Sequence, residues 1–242
     1  MDEEERSFVF LKCAIMQPTY IPWLGYFNMI ANSDLFIFLD DVKYSRGSWQ
    51  QRNKLLLNGQ EKYLTIPVLS KGKRDKLIKE VQTDISKNWN KKHLLTITQA
   101  YGKHPYIYEI KPMLEKIYQI ENTLLCEFNI AMIEELLKLL RIETKILRSS
   151  DIPVTGRKSE YLINLCNHVG ANVYLSPRGS QEYIEQEGLF DQSEIEVVYH
   201  DFIHPLYKQK NNDGFISHLS IIDVLANQGI EKTRQYIIKE KQ

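Results

Sequence analysis

The chain has 242 residues, 43% of them hydrophobic and 26% charged, ordinary values for a folded globular protein with a sizeable core. Lys and Arg together number 31, as do Asp and Glu, so the net charge is zero. That balance argues against general nucleic-acid binding, which needs a basic excess to displace counterions, and leaves room for a local basic site.

The acidic start "MDEEERSF" lacks the basic region of a secretory signal, and the longest apolar runs, such as "LFIFL", are far too short to span a bilayer. Cys13, Cys126 and Cys166 lie far apart in apolar runs, which reads as three buried free thiols. A cytoplasmic protein without a membrane span is expected.

"LKCAIM" (Leu11 to Met16) is a fully apolar run predicted to be a buried strand. "PWLGYFNMIANSD" follows with helical spacing, and Pro22 suits its first turn. "DLFIFLDD" (Asp34 to Asp41) is a second buried strand, completing a βαβ unit. "NKLLLNGQEKYLTIPV" turns at Asn58-Gly59, the strongest short hairpin signal. A polar loop, "LSKGKRDK" (Leu69 to Lys76), leads to "LIKEVQTD", read as another strand. Helices are expected over about 88–101, 105–118 and 122–140, a mainly helical insertion at about 88–141.

Alternation then resumes. "TKILRSS", "NVYLSP" and "EIEVVYHDF" read as strands, and "KSEYLINLCNHVG" and "SQEYIEQEG" as helices. "LSIIDVLANQG" is a last helix that stops at Gly229. The pattern predicts one α/β domain over 1–242: a mostly parallel, Rossmann-like sheet with helices on both faces, a β-hairpin and the helical insertion.

Ligands of open parallel sheets bind beyond the carboxyl ends of the strands. Three loops leave such ends here: "QPTYIPWLGY", "DDVKYSRGSWQQRNK" and "SPRGSQEY". In the second, Asp40 and Asp41 close an apolar strand, and Lys43, Trp49, Gln51, Arg52 and Asn53 follow. Guanidinium groups fork onto phosphates, aromatic faces stack on rings, and amides and carboxylates meet hydroxyls, so this mixture fits a sugar nucleotide. A solvated loop with local salt bridges is the plain alternative. The third loop offers Arg178 and Ser180 at a helix start, where an anion can be received, although Ser and Gly also serve there as ordinary caps.

Four of the six histidines stand where their surroundings suggest a role. His168 sits in a helix as a structural residue, and His104 precedes Pro105 at a boundary. His93 shares its stretch with Trp89 and Lys92. His204, beside Tyr207 after the last strand, is best placed as a general base, since imidazole titrates near neutrality. No histidine pair has metal-ligand spacing, so no metal site is expected beyond Mg brought in with a nucleotide. No nucleophile elbow, P-loop or dinucleotide fingerprint occurs.

From "MQPTYIPWLGYFNMIANSDLFIFLDDVKYSRGSWQQRNKL" through "WNKKHLLTI", "YGKHPYI", "YLSPRGSQEYI", "HPLYKQ" and "LSIIDVLANQG", the sequence resembles the WbqC-like protein family over nearly its whole length. The resemblance implies a bacterial protein of O-antigen or other surface-glycan synthesis, in a setting where amino-dideoxy sugars are made and decorated. It favours amide formation on the amino group of a nucleotide-linked amino sugar, with glycine or another amino acid as the acyl part. The donor is open among a free amino acid with ATP, a thioester and an aminoacyl-tRNA; ATP is thus one candidate cofactor, and a homodimer is compatible.

In layout the start is also similar to pantothenate synthetase and related nucleotidylyl transferases. There an H-x-G-H motif opens the first helix; here Trp23-Leu24-Gly25-Tyr26 takes its place and both histidines are missing.

On this reading Gln17, Tyr20, Trp23, Tyr26, Asp40, Lys43, Trp49, Gln51, Arg52, Asn53, Arg178, Ser180 and Tyr207 bind substrate. His204, Asp41 and His93 are the candidates for proton transfer. A non-catalytic accessory protein of glycan assembly and a metal-dependent glycosyltransferase using Asp40 and Asp41 are the alternatives.

Overall fold

The structure, a computed structural model, describes residues 10–69, 76–120, 123–210, 212 and 214–238. The acidic start and most of the "LSKGKRDK" loop lie outside the described residues. The elements run β1 (Lys12–Met16), α1 (Leu24–Ala31), β2 (Leu35–Phe38), β3 (Arg52–Leu57), β4 (Gln60–Thr65), α2 (Trp89–Tyr101), α3 (Ile107–Gln119) and α4 (Leu125–Leu140). Then come β5 (Lys145–Arg148), α5 (Lys158–His168), β6 (Val173–Pro177), α6 (Gln181–Glu187), β7 (Glu196–His200) and α7 (Ile221–Ile237).

Two compact units emerge. The first gathers the described residues up to Met16, with Ser33–Phe38 and Thr144–Asp201. It holds a five-stranded sheet in the order β5-β2-β1-β6-β7, every neighbouring pair parallel. β1 and β2 end side by side, Met16 against Phe38. All four residues of β2 are buried, which is why "LFIF" reads as a continuous apolar run rather than an alternating one. The α/β expectation is met.

The second unit comprises Gln17–Asn32, Leu39–Glu143 and the described residues from Phe202 onward. It contains α1, the β3–β4 hairpin and α2, α3, α4 and α7. The hairpin turns on Asn58 (φ 52°) and Gly59 (φ 75°), the two positive dihedrals of a type I′ turn. In α4 the apolar face expected from the sequence is buried, Leu125, Phe128, Met132, Leu136, Leu137 and Leu140 among it.

Three expectations change. "LIKEVQTD" is not a strand: Ile78–Glu80 form a 3-10 turn, and its neighbours make only single bridges, Leu77 to Lys43, Thr83 to Val68 and Gln82 to Leu124. Three different partners leave no ladder for a strand to join. Pro22 precedes the helix cap Trp23 instead of occupying the first turn. Gly229 does break the last helix, with φ 78° and ψ 172°, but helical backbone resumes beyond it. All three cysteines are buried free thiols, and no helix among the described residues is long and apolar enough to cross a membrane.

Candidate functional site

The loop after β1 is clamped from beneath. Tyr20 is fully buried; its hydroxyl hydrogen-bonds His93 Nδ1 at 2.7 Å and the Tyr118 hydroxyl at 2.5 Å. Asn53 Nδ2 donates to the carbonyls of Tyr20 (3.0 Å) and Ile21 (2.7 Å). Buried Asn129 donates to Pro18 O and Gln50 O, the Tyr20 N–H donates to Trp49 O at 2.9 Å, and Gln50 donates to Gln17. Buried Tyr26 donates to Gln17 O at 3.1 Å. So many fixings hold Ile21 at φ 41°, a left-handed conformation that a β-branched residue rarely adopts. Tyr20, Tyr26 and Asn53 act here as the frame of the loop and offer almost no surface of their own.

What the frame presents is Trp23. Its backbone bridges Ser220 just before α7, the Ile221 N–H donates to Pro22 O, and the Ser220 N–H donates to Lys54 O, each at 2.9 Å. Three segments distant in sequence therefore run side by side. Around the indole lie His218 (ring centroids 4.6 Å apart), Phe202 (5.5 Å, edge-on) and His204 (6.2 Å, planes 12° apart). Tyr207, Phe215 and His218 stand 6.1, 5.4 and 5.6 Å from His204, so this imidazole is the hub of five rings.

His204 Nδ1 lies 3.0 Å from the Pro205 carbonyl. A carbonyl only accepts, so Nδ1 carries the hydrogen and Nε2 keeps its lone pair. Burial lowers the pKa of His204; the Pro205 carbonyl opposes this, and a charge on His218 would lower it further. At neutral pH the ring is a neutral base.

The loop carrying His204 is anchored from behind. Tyr207 donates to Asp223 Oδ2 at 2.7 Å, and Gln209 Nε2 donates to the same oxygen at 3.0 Å and to Ile216 O at 2.8 Å. Asp223 is wholly buried; burial raises its pKa, while the bonds from Tyr207 and Gln209 pull it back toward the ionised form. Tyr207 thus positions the loop through its hydroxyl.

The hairpin carries a second cluster. Trp49 and Tyr63, both well exposed, stack at 6.4 Å with planes 30° apart, and the Arg52 guanidinium lies 4.7 Å over the Tyr63 ring. Lys54 is engaged by Glu61 at 2.9 Å. Gln51 is buried and accepts from Tyr44 and from the Gly47 N–H, fixing the turn under the platform. Asp40 is buried and its carbonyl receives the Lys79 N–H; Asp41 is half-buried and Lys43 exposed, its backbone bridging Leu77.

His93 is buried, its Nδ1 taken by Tyr20 and its pKa lowered by burial to about 4. That environment makes it a neutral strut. Arg178, in the first unit, pairs with Asp201 at 3.4 Å and lines a surface hollow of about 660 Å³ with Gln181, Glu182 and Glu185. The two glutamates disfavour an anion there, and the Ser180 side chain caps no backbone group of α6.

Sequence reasoning passed over His218, Asp223 and Tyr63. Tyr63 had a local signal, since it stands opposite Lys54 across the hairpin that Asn58-Gly59 announced. His218 and Asp223 acquire their places only through contacts with Trp23 and Tyr207.

Fold and site together define an α/β protein with a histidine-centred aromatic surface and, on its hairpin, a cationic aromatic platform. The family model of the WbqC-like protein family matches residues 17–235, and the chain belongs to that family. It is also similar to an uncharacterized protein of Mycobacterium tuberculosis, Rv1507c, 34% identical over 222 residues that cover 91% of this chain and 95% of that protein. No solved structure matches the chain.

Proposed function

We propose that this protein is an enzyme of bacterial surface-polysaccharide (O-antigen) synthesis. It transfers an acyl or aminoacyl group, glycine for example, to the amino group of a nucleotide-activated amino-dideoxy sugar. The resemblance to the WbqC-like family supplies the setting; the observation that carries the chemistry is His204, neutral and with Nε2 unprotonated beside the Trp23 ring. The sugar amine attacks the acyl carbon, a C–N bond forms, and the amine's proton passes to His204 Nε2. The bond to the donor's leaving group breaks with its electron pair. Trp23 offers a face to the sugar, and Trp49, Tyr63 and Arg52 offer stacking and a phosphate contact to the nucleotide.

The test is incubation of the full chain with a nucleotide-linked amino-dideoxy sugar and, in turn, glycine with ATP, an acyl thioester and an aminoacyl-tRNA. Amide product is followed by mass spectrometry. His204→Gln is expected to lower the rate about a hundredfold or more, the usual worth of a positioned base. Absence of amide with every donor overturns the reading.

A second reading, a non-catalytic accessory protein, is favoured by the exposure of Ile203 (77%) and Leu206 (78%) on either side of His204, apolar side chains suited to a partner. It expects no binding of a nucleotide sugar.

A further inference from the structure

His218 shares the Trp23 face with His204 and has a backbone of its own to explain. It sits at φ 60°, in the left-handed region, two residues before Ser220, while Ile21 at φ 41° sits two residues before Trp23. Both strained residues thus flank the single bridge that joins Trp23 to Ser220. Such strain persists where surrounding bonds over-determine it, and it concentrates at functional positions. Here it sets an exposed imidazole 4.6 Å from the Trp23 ring and 5.6 Å from His204.

The geometry points to His218 as a second proton-transfer group of this site, paired with His204 and supplying a proton to the departing group of the acyl donor. This rests on the acyl-transfer reading above. Two imidazoles so close resist holding two charges, so one accepts while the other gives. The amine's proton goes to His204 as the C–N bond forms; the leaving oxygen or sulfur takes its electron pair and a proton from the His218 imidazolium. Passage of the proton from His204 to His218 resets the pair. An alkoxide or thiolate needs that proton, whereas a phosphate departs without one, so the pair fits an ester or thioester donor better than an acyl phosphate.

Among the described residues, most other polar groups near the pair are already engaged. The Tyr207 hydroxyl is bonded to Asp223, the Ser217 hydroxyl lies 2.7 Å from His218 Nδ1, and Lys54 on the adjoining strand is paired with Glu61. Tyr236 stacks on Tyr207 on the side of α7, and Lys208 is exposed in the His204 loop.

The test follows the histidine ring resonances of the full chain by NMR from pH 5 to pH 8.5 in wild type, His204→Gln and His218→Asn. Asparagine is chosen because it tolerates the left-handed backbone, and the His93 ring signals report an intact fold. Removing His218 is expected to raise the midpoint of His204 by about half a pH unit, the Coulomb effect at this separation even in bulk water. Independent titration in wild type and variants overturns the pairing. A second arm compares donors: His218→Asn should slow transfer from an ester or thioester at least tenfold more than from an acyl phosphate. Equal slowing overturns the proton-donor role. Coupled titration without transfer from any donor refutes the acyl-transfer reading and, with it, the donor role, leaving only the electrostatic pairing; transfer with uncoupled titration refutes the pairing alone.

Discussion

Trp23 folds back over Gly25 so closely that a Cβ on Gly25 would stand 2.2 Å from Trp23 Cη2. The indole's place beside His204 and His218 therefore depends on a hydrogen where any other residue carries carbon. Gly25→Ala should displace the ring and cost about 1–3 kcal/mol, the range for overpacking a filled site. Urea denaturation and the indole N–H resonance of Trp23 check this; an unshifted resonance would contradict it.

His93 makes stability depend on pH. Its folded pKa of about 4 lies below the ordinary 6.5, so the unfolded chain takes up the proton first. Its contribution is whole above about pH 6.5 and is lost as pH falls toward 4, a decline of about 3 kcal/mol. Denaturation midpoints at pH 7 and pH 4.5 should differ markedly in wild type and much less in His93→Gln. Equal pH dependence in both proteins would show that another group is responsible.

Gly229 holds φ 78° and ψ 172°, a region open essentially to glycine alone, and a Cβ there would meet Tyr106 Cδ1 at 2.9 Å. Gly229→Ala should destabilise the chain by about 2 kcal/mol or more. Thermal denaturation with the melting point unmoved would rule this out.

Arg52 lies over Tyr63 with its donors turned to no carboxylate among the described residues. Arg52→Ala should weaken a nucleotide sugar about tenfold or more through loss of a charge-assisted contact, while Lys62→Ala, on the same hairpin, leaves affinity unchanged. Equal affinities for wild type and Arg52→Ala would remove the platform from the site.

The βαβ start, the hairpin and the three helices of the middle were legible because periodicity, Asn58-Gly59 and the apolar face of α4 are local signals. The positions of Trp23 and His204 in loops leaving strands were local signals too. Tyr20 and His93 looked like binding and proton-transfer candidates because no local pattern announces a buried polar triad joining residues 73 and 98 positions apart. His218 was passed over because its place depends on the bridge from Ser220 to Trp23, a pairing that periodicity within either segment does not encode.

The most direct measurement is calorimetric titration of the full chain with a nucleotide-linked amino-dideoxy sugar, beside the Trp23→Ala and His204→Gln variants. Saturable binding by wild type is expected, with at least tenfold weaker binding by Trp23→Ala and nearly unchanged affinity in His204→Gln, which loses a proton acceptor rather than a stacking face. Wild type that takes up no heat with any such sugar, or Trp23→Ala that binds as tightly as wild type, would contradict it.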